Sequence, residues 1–442
     1  MAADIMNPPR TDLNRNEDHA MQPTRIIIPD PHGHGGGRIR TIGRWIVAVV
    51  VVAHGLIHLL GAVKGFGWAE VTALTAPISP AAGIAWLAAA LLVAAAGVLV
   101  AVGTRWWWMV AVIAAALSQA VILTSWTDAK AGTVVNVVLL AAAGYGFASQ
   151  GPASFRAEYR RRATDALDAP HPDALVTEAD LALLPEPVAT YVRLSGAVGQ
   201  PRVTTFRALI HGRIRSGANA SWMDFTGEQV NTYGPQPSRV FFMDATMFGL
   251  PVDVLHVFAG SAATMRVKAC SVMPMVNAAG PDMDRAETVT VFNDLCVLAP
   301  AALVDAPVAW TTIDDDHVQG TFTNGAQTVT ADLMFHDGLL VDFFSDDRMA
   351  ASRGGSSLTA QRWSTPLWDY RTINARQVAT HGEGHWHAPG EFAYLEFILD
   401  DITYNPPSTR FDASISVPLR EPPTATSTTF ERVAATGLSR RR

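Results

Sequence analysis

The chain has 442 residues, a net charge of −7, a sequence pI near 6.0 and two cysteines, Cys270 and Cys296. The acidic balance excludes nucleic acid as a general partner, and two cysteines exclude a disulfide framework. A lone pair of thiols suits a reducing compartment, and both read as buried core residues.

Residues 1–40 hold scattered charge, proline and a His-Gly run over 32–37, with little to bury. They read as a disordered tail. A hydrophobic block then fills 41–149 and divides into four spans, near 42–63, 81–102, 106–123 and 134–148, the last being the shortest. Roughly 20 apolar residues cross a ~30 Å hydrocarbon core, and these segments are apolar all round rather than on one face. Trp106, Trp107 and Trp108 open the third span and Trp126 closes it, as interfacial indoles do. A cleavable leader fits the first span poorly, because a long polar stretch precedes it.

Basic residues set the expected orientation. Arg38, Arg40, Arg44, Arg105, Arg156, Arg160, Arg161 and Arg162 cluster on one side, and only Lys64 and Lys130 on the other, balanced by Glu70 and Asp128. The positive-inside rule then makes both termini and the polar domain cytoplasmic, in a plasma-membrane protein.

Residues 150–175 read as a juxtamembrane helix and linker, and 176–407 as a β-rich soluble domain. Thr177 with Asp180 forms a capping box, and Pro187 opens a helix that stops at Gly196. From Val203 the apolar pattern turns to period two, giving strands near 203–211, 220–232, 239–247, 252–258 and 264–272. One helix interrupts them, capped by Asp284, with Val291, Leu295 and Leu298 on its buried face. Asn324-Gly325 and Asp337-Gly338 then join strands at 318–323, 327–335 and 339–345 as hairpins of type I′. A last strand spans 391–404, and 408–442 reads as a strand end and a disordered tail. The fold class is a multi-pass α-helical bundle plus an α+β domain with a curved antiparallel meander.

Two stretches carry a resemblance. His54-Gly55-Leu56-Ile57-His58-Leu59-Leu60-Gly61, together with residues 125–133 and Asn136, resembles the small four-helix membrane bundles called DoxX-like. The polar part resembles an uncharacterised bacterial domain of unknown function found behind such bundles. The matching residues are 222–233, 314–323, Trp368-Asp369-Tyr370-Arg371, Glu383, Trp386 and Tyr404-Asn405. That resemblance implies no established activity. The meander is also similar to the half-barrel of LolA-type lipoprotein carriers, which implies a concave apolar face able to hold an acyl chain. Those carriers work outside the cytoplasm, unlike the placement expected here.

Several candidate sites follow. His54 and His58, four apart on one helix face, are either a metal, haem or quinone site or hydrogen-bonding glue to Ser118, Gln119 or Asn136. Trp126, Asp128 and Lys130 flank the outer mouth, with Asp128 and Lys130 as a candidate ion pair or an interfacial turn. Trp222, Phe225, Phe241, Phe242, Phe335 and Phe343 are candidates for a ligand face, or for plain core. His381, Glu383, His385 and His387 alternate and would share one face of a strand as a zinc set, although Gly382 and Gly384 favour a loop. Asp314-Asp315-Asp316-His317 is a charged turn or a cation site. No nucleophile elbow, phosphate loop or dinucleotide fingerprint is present.

No cofactor follows from these residues, and no catalytic set. The leading expectation is a membrane protein whose β-domain binds a lipid or another hydrophobic ligand. The alternatives are a membrane redox or metal protein built on His54 and His58, and a regulatory or assembly protein with a membrane protein partner.

Overall fold

The computed structural model describes residues 35–169, 171–351 and 358–407. The tail expected over 408–442, and all but the last turns of that expected over 1–40, lie outside them.

Four helices are long and apolar enough to cross a membrane. They are α1 (Gly35–Gly65), α2 (Pro80–Val102), α3 (Trp107–Thr124) and α5 (Gly132–Gln150), with the one-turn α4 (Trp126–Ala129) before the last. Ser79 caps α2 by accepting from the Ala82 amide at 3.2 Å, with Pro80 as the first helical residue, and Gly103 at φ +75° ends it. Small residues let α1 and α2 close up. A Cβ on Gly55 would sit 2.8 Å from the Ala94 amide nitrogen. Leu56, Ile57, Leu91, Val98 and Ile113 point outward and remain exposed, as side chains meant for lipid do.

Past the bundle come α6 (Phe155–Leu167), α7 (Glu178–Leu181) and α8 (Glu186–Leu194). Thr177 and Asp180 make the reciprocal capping box of α7, which lasts one turn, and α8 stops before Gly196 at φ +75°. The strands of the first half are β1 (Thr205–Ile214), β2 (Met223–Thr232), β3 (Ser238–Met247), β4 (Leu250–Ala259), β5 (Ala262–Ala269) and β6 (Met273–Ala279). The long α9 (Pro281–Leu298) and a 3-10 turn (Pro300–Asp305) follow. The second half holds β7 (Val308–Thr312), β8 (His317–Asn324), β9 (Gln327–His336), β10 (Leu339–Ser345), β11 (Met349–Ala351), β12 (Leu358–Ala360), β13 (Trp363–Ser364), β14 (Leu367–Ile373), β15 (Arg376–Trp386) and β16 (Phe392–Tyr404).

One antiparallel sheet runs β6-β5-β4-β3-β2-β1-β16-β15-β13-β10-β9-β8-β7, with β14 also paired to β15. The first and last strands of the domain therefore meet at its middle, Phe206 opposite Tyr404. The sheet curls into a half-barrel, and α9 lies in its concavity.

Three local expectations are corrected. Asp284 does not cap α9; its carboxylate accepts from the Ala263 amide of β5 at 2.6 Å, while Pro281 follows Gly280 at φ +106°. The α9 helix is not buried along one stripe: residues from Ala286 to Leu298 are buried almost without a break, because strands surround it. The β8–β9 turn holds Gly325 and Ala326 between paired Asn324 and Gln327, with φ +59° at Gly325, so the glycine comes first, as in type II′ turns. The β9–β10 turn does have both Asp337 (φ +51°) and Gly338 (φ +77°) in the left-handed region, as type I′ requires.

Candidate functional site

The bundle gathers its polar side chains into one chain of hydrogen bonds. His58 Nε2 lies 2.8 Å and His54 Nε2 3.3 Å from Ser118 Oγ, and His58 Nδ1 reaches the His54 carbonyl at 3.0 Å. The Ser118 hydroxyl sits 2.9 Å from Asn136 Oδ1. Asn136 donates to Gln119 Oε1 at 3.0 Å, and Gln119 donates to Thr133 Oγ1 at 3.1 Å. The four residues from His54 to Asn136 are buried between α1, α3 and α5, and the His58 ring meets the Trp86 ring at 5.3 Å. Each imidazole thus finds partners where hydrocarbon offers none. All five residues singled out in the sequence come together here, and Thr133 joins them.

At the end of the bundle that holds Trp126, Asp128 and Lys130, the pairing differs from the candidate ion pair. Asp128 accepts from Thr75, at 2.6 Å from its amide and 2.9 Å from its hydroxyl, rather than pairing with Lys130. Trp126 and Lys130 are exposed on the same turn. Lys64 caps the loop from the other side by donating to the Leu74 carbonyl.

The six aromatic candidates do not line one open face. Phe225, Phe241, Phe335 and Phe343 are buried in the main core around α9, where Phe343 meets Phe292 edge-on at 5.4 Å. Phe242 points through the opposite face and packs under α6. Trp222 is half-buried at one end of the sheet, with the Arg213 and Arg215 guanidiniums over its ring at 4.6 and 4.4 Å. The concave face is filled by a helix because α9 contributes the apolar side chains that a ligand would otherwise supply. A cleft of about 190 Å³ among Gln319, Asp332, Asp346 and Asp347 is polar and does not suit an acyl chain.

The alternating histidines lie on a strand after all. Gly382 and Gly384 are needed in β15 because a Cβ there would meet the Phe397 ring at 2.6 Å and the Tyr394 ring at 2.8 Å. The four candidate ligands do not converge on one point: Glu383 and His385 bond each other, while His381 and His387 take other partners. His385 bonds Glu383 at 2.6 Å and Glu391 at 2.8 Å, His381 pairs with Asp369 at 3.0 Å, and His387 with Ser364 at 2.9 Å. Among the described residues no three His, Cys, Asp or Glu side chains converge as metal ligands. The Glu383 bond raises the His385 pKa, and burial pushes the nearby Asp342 carboxyl up to about 7. Asp314 turns back onto the Asp316 amide at 3.0 Å, and His317 pairs with Asp332, so that run is a charged turn.

Sequence reasoning missed a buried charge network. Arg239 of β3 binds Asp294 at 2.7 Å, Glu287 at 3.2 Å and Gln229 at 3.2 Å, and Asn231 also reaches Asp294 at 3.1 Å. Burial alone would raise the Glu287 carboxyl, but His256, Arg239 and Arg348 outweigh it and hold the group well below the usual carboxylate range. The signal available was polar residues at i, i+2 on β2 and acids at i, i+7 on α9, which face each other only once the sheet has curled.

These features define a polar-cored bundle of four helices long and apolar enough to cross a membrane, followed by a half-barrel whose concavity is plugged by its own helix. The chain belongs to a family of unknown function, DUF6544, whose model matches residues 174–397. No curated protein matches it. Among solved structures it is similar to a domain described as an outer-membrane lipoprotein-sorting protein from Vibrio parahaemolyticus, at 9% identity over 48% of this chain and 91% of that one, TM-score 0.30. It is also similar to a DUF1329 family protein from Desulfovibrio piger (8% identity, 52% and 94% covered, TM-score 0.29). A β-barrel-like protein of unknown function, DUF1849, from Brucella abortus matches at 8% identity, with 46% and 98% covered and a TM-score of 0.16. At those values the likenesses carry no information on ligand or chemistry.

Proposed function

We propose that this protein interacts with lipid: the bundle anchors a cytoplasmic β-domain that engages a lipid or another hydrophobic ligand at the bilayer. The observation that supports it is the α6 clamp. Phe155, Tyr159, Ala163 and Leu167 form one apolar stripe packed on Val230, Val240, Phe242, Leu255 and Val257 of the sheet. Only residues 151–154 separate α6 from the last span, so the sheet is held against the membrane exit. Whatever this domain binds is met at the bilayer. In this reading His54, His58, Ser118, Gln119 and Asn136 are the glue of the anchor, because their hydrogen-bonding groups are directed at one another.

Native mass spectrometry of the full chain released from nanodiscs tests the ligand. A retained, saturable lipid or apolar adduct is expected. Release of bare protein, with no saturable uptake on titration with lipid, would remove the ligand from this reading.

A further inference from the structure

The direction of α6 fixes which end of the sheet faces the bilayer. At its first turn, beside the membrane exit, Arg156 pairs with Asp244 of β3 at 3.0 Å, and Lys268 of β5 lies over the Phe155 ring at 4.4 Å. At its far end, Ala163 and Leu167 share a cluster with Val230, Val240 and Val257. Moving along α6 away from the membrane therefore means moving back along β3, from residue 244 towards 240. In the opposite direction β3 runs on from Asp244 for four residues, roughly 13 Å at strand rise, and reaches the β3–β4 turn at Phe248. From Lys268 the β5–β6 turn at Val272 lies the same number of residues away. Both turns project past the start of α6 on its membrane side.

Their side chains are unusual for water. Phe248 is 88% exposed, Val272 64%, Met273 58% and Leu250 53%. Phe248 holds φ +51°, and Cys270 and Ser271 hold +51° and +59°, a region that glycine or asparagine enters more easily. A bulky apolar residue is thus displayed on a backbone that does not favour it. The neighbouring β1–β2 loop opens at the same end, since Ile214 pairs with Met223, and it presents Trp222 between Arg213 and Arg215. Indole beside guanidinium, with Lys268 of β5 at the same end of the sheet, suits an anionic headgroup layer. An apolar patch of this kind on a water-facing surface marks a contact site.

We propose that the β3–β4 and β5–β6 turns dock in the lipid headgroup layer through Phe248, Leu250, Val272 and Met273, making the bilayer the partner of this surface. The contact holds the domain in one orientation whether or not it carries a bound ligand, so it stands or falls apart from the ligand reading.

The test uses the full chain in nanodiscs containing anionic lipid. Phe248→Cys, Val272→Cys and Gln236→Cys are made in turn in a Cys270→Ser background, leaving the fully buried Cys296 in place, and are labelled with the fluorophore NBD. Gln236 is exposed in the β2–β3 turn, at the opposite end of β3. Labels at 248 and 272 are expected to be blue-shifted and quenched by doxyl-lipid, and the label at 236 to be quenched by iodide in water. Adding Phe248→Asp should remove most of the lipid quenching at 272. Iodide quenching at 248 and 272 equal to that at 236 would overturn the proposal. Shielding of both labels from lipid and iodide alike would also overturn it, by placing a protein there instead.

Discussion

Asp342 and His385 sit within one charged corner of the domain, and both respond to pH in the same direction. Burial raises the Asp342 carboxyl to about 7, against roughly 3.9 for a free one. The unfolded chain therefore releases this proton first, and stability falls as pH rises from about 4, levelling off above about 7. His385, raised by Glu383, contributes stability that is present below the ordinary imidazole value and is lost as pH rises through its own. Asp342→Asn should raise stability at pH 8 by on the order of 1–3 kcal/mol and leave it unchanged near pH 4. Thermal unfolding at the two pH values measures this, and an equal shift at both would contradict it. Glu287 acts in the opposite sense, since its depressed pKa gives stability above the ordinary carboxylate range that is lost in acid. Arg239→Met takes the guanidinium from Asp294 and removes one of the cations around Glu287, and should cost about 3–5 kcal/mol. Adding Asp294→Asn and Glu287→Gln should recover part of that in chemical denaturation, which a simple packing defect would not.

Among elements, α1 and α6 bear most on the architecture. In α1 one face meets Ser118 and Trp86 and the other is bare, so the two faces should tolerate change differently. Ser118→Ala removes the shared partner of both histidines and should weaken the bundle by about 1 kcal/mol, close to measured intramembrane hydrogen bonds. Leu56→Val, on the exposed face, should change nothing measurable in the same detergent unfolding assay. Equal losses from both would reverse the assigned faces. In α6 the Tyr159 ring is fully buried against Phe242. Tyr159→Ala should cost about 3–5 kcal/mol, and limited proteolysis of the sheet should speed up accordingly. An unchanged cleavage rate would mean that the sheet does not depend on this clamp.

For the whole molecule, an even number of crossings returns the chain to the side where it began. Crossing by all four candidate helices would put the start of α1 and the whole β-domain on one side, and we propose from the arginine bias that this side is cytoplasmic. Reporters fused after Arg162 and after Arg442 should both behave as cytoplasmic. A periplasmic result at both would mean an odd number of crossings or a bundle inserted the other way round, and in either case would place the docking turns against the outer leaflet.

By itself the sequence determined what is decided within a few residues of the chain. Four apolar runs give four candidate spans because an α-helix satisfies its own backbone, so hydropathy over about 20 residues locates them without a partner. Thr177 with Asp180, and Asp337-Gly338, are legible for the same reason, since cap and turn chemistry are local. The histidine cluster was legible because polar groups in hydrocarbon have few places to go. The tertiary structure alone decided the rest. Strand β15 looked like a loop because its glycines make room for Phe397 and Tyr394, which are remote in sequence but adjacent across the sheet. Phe241 and Phe242 are neighbours in sequence yet bury on opposite faces, one against α9 and the other against α6. The closure of β1 on β16, the burial of α9 on all sides and the Arg239 network depend on pairings about 50 to 200 residues apart. Such pairings are set by which surfaces fit once the sheet has curled, and no local pattern encodes that.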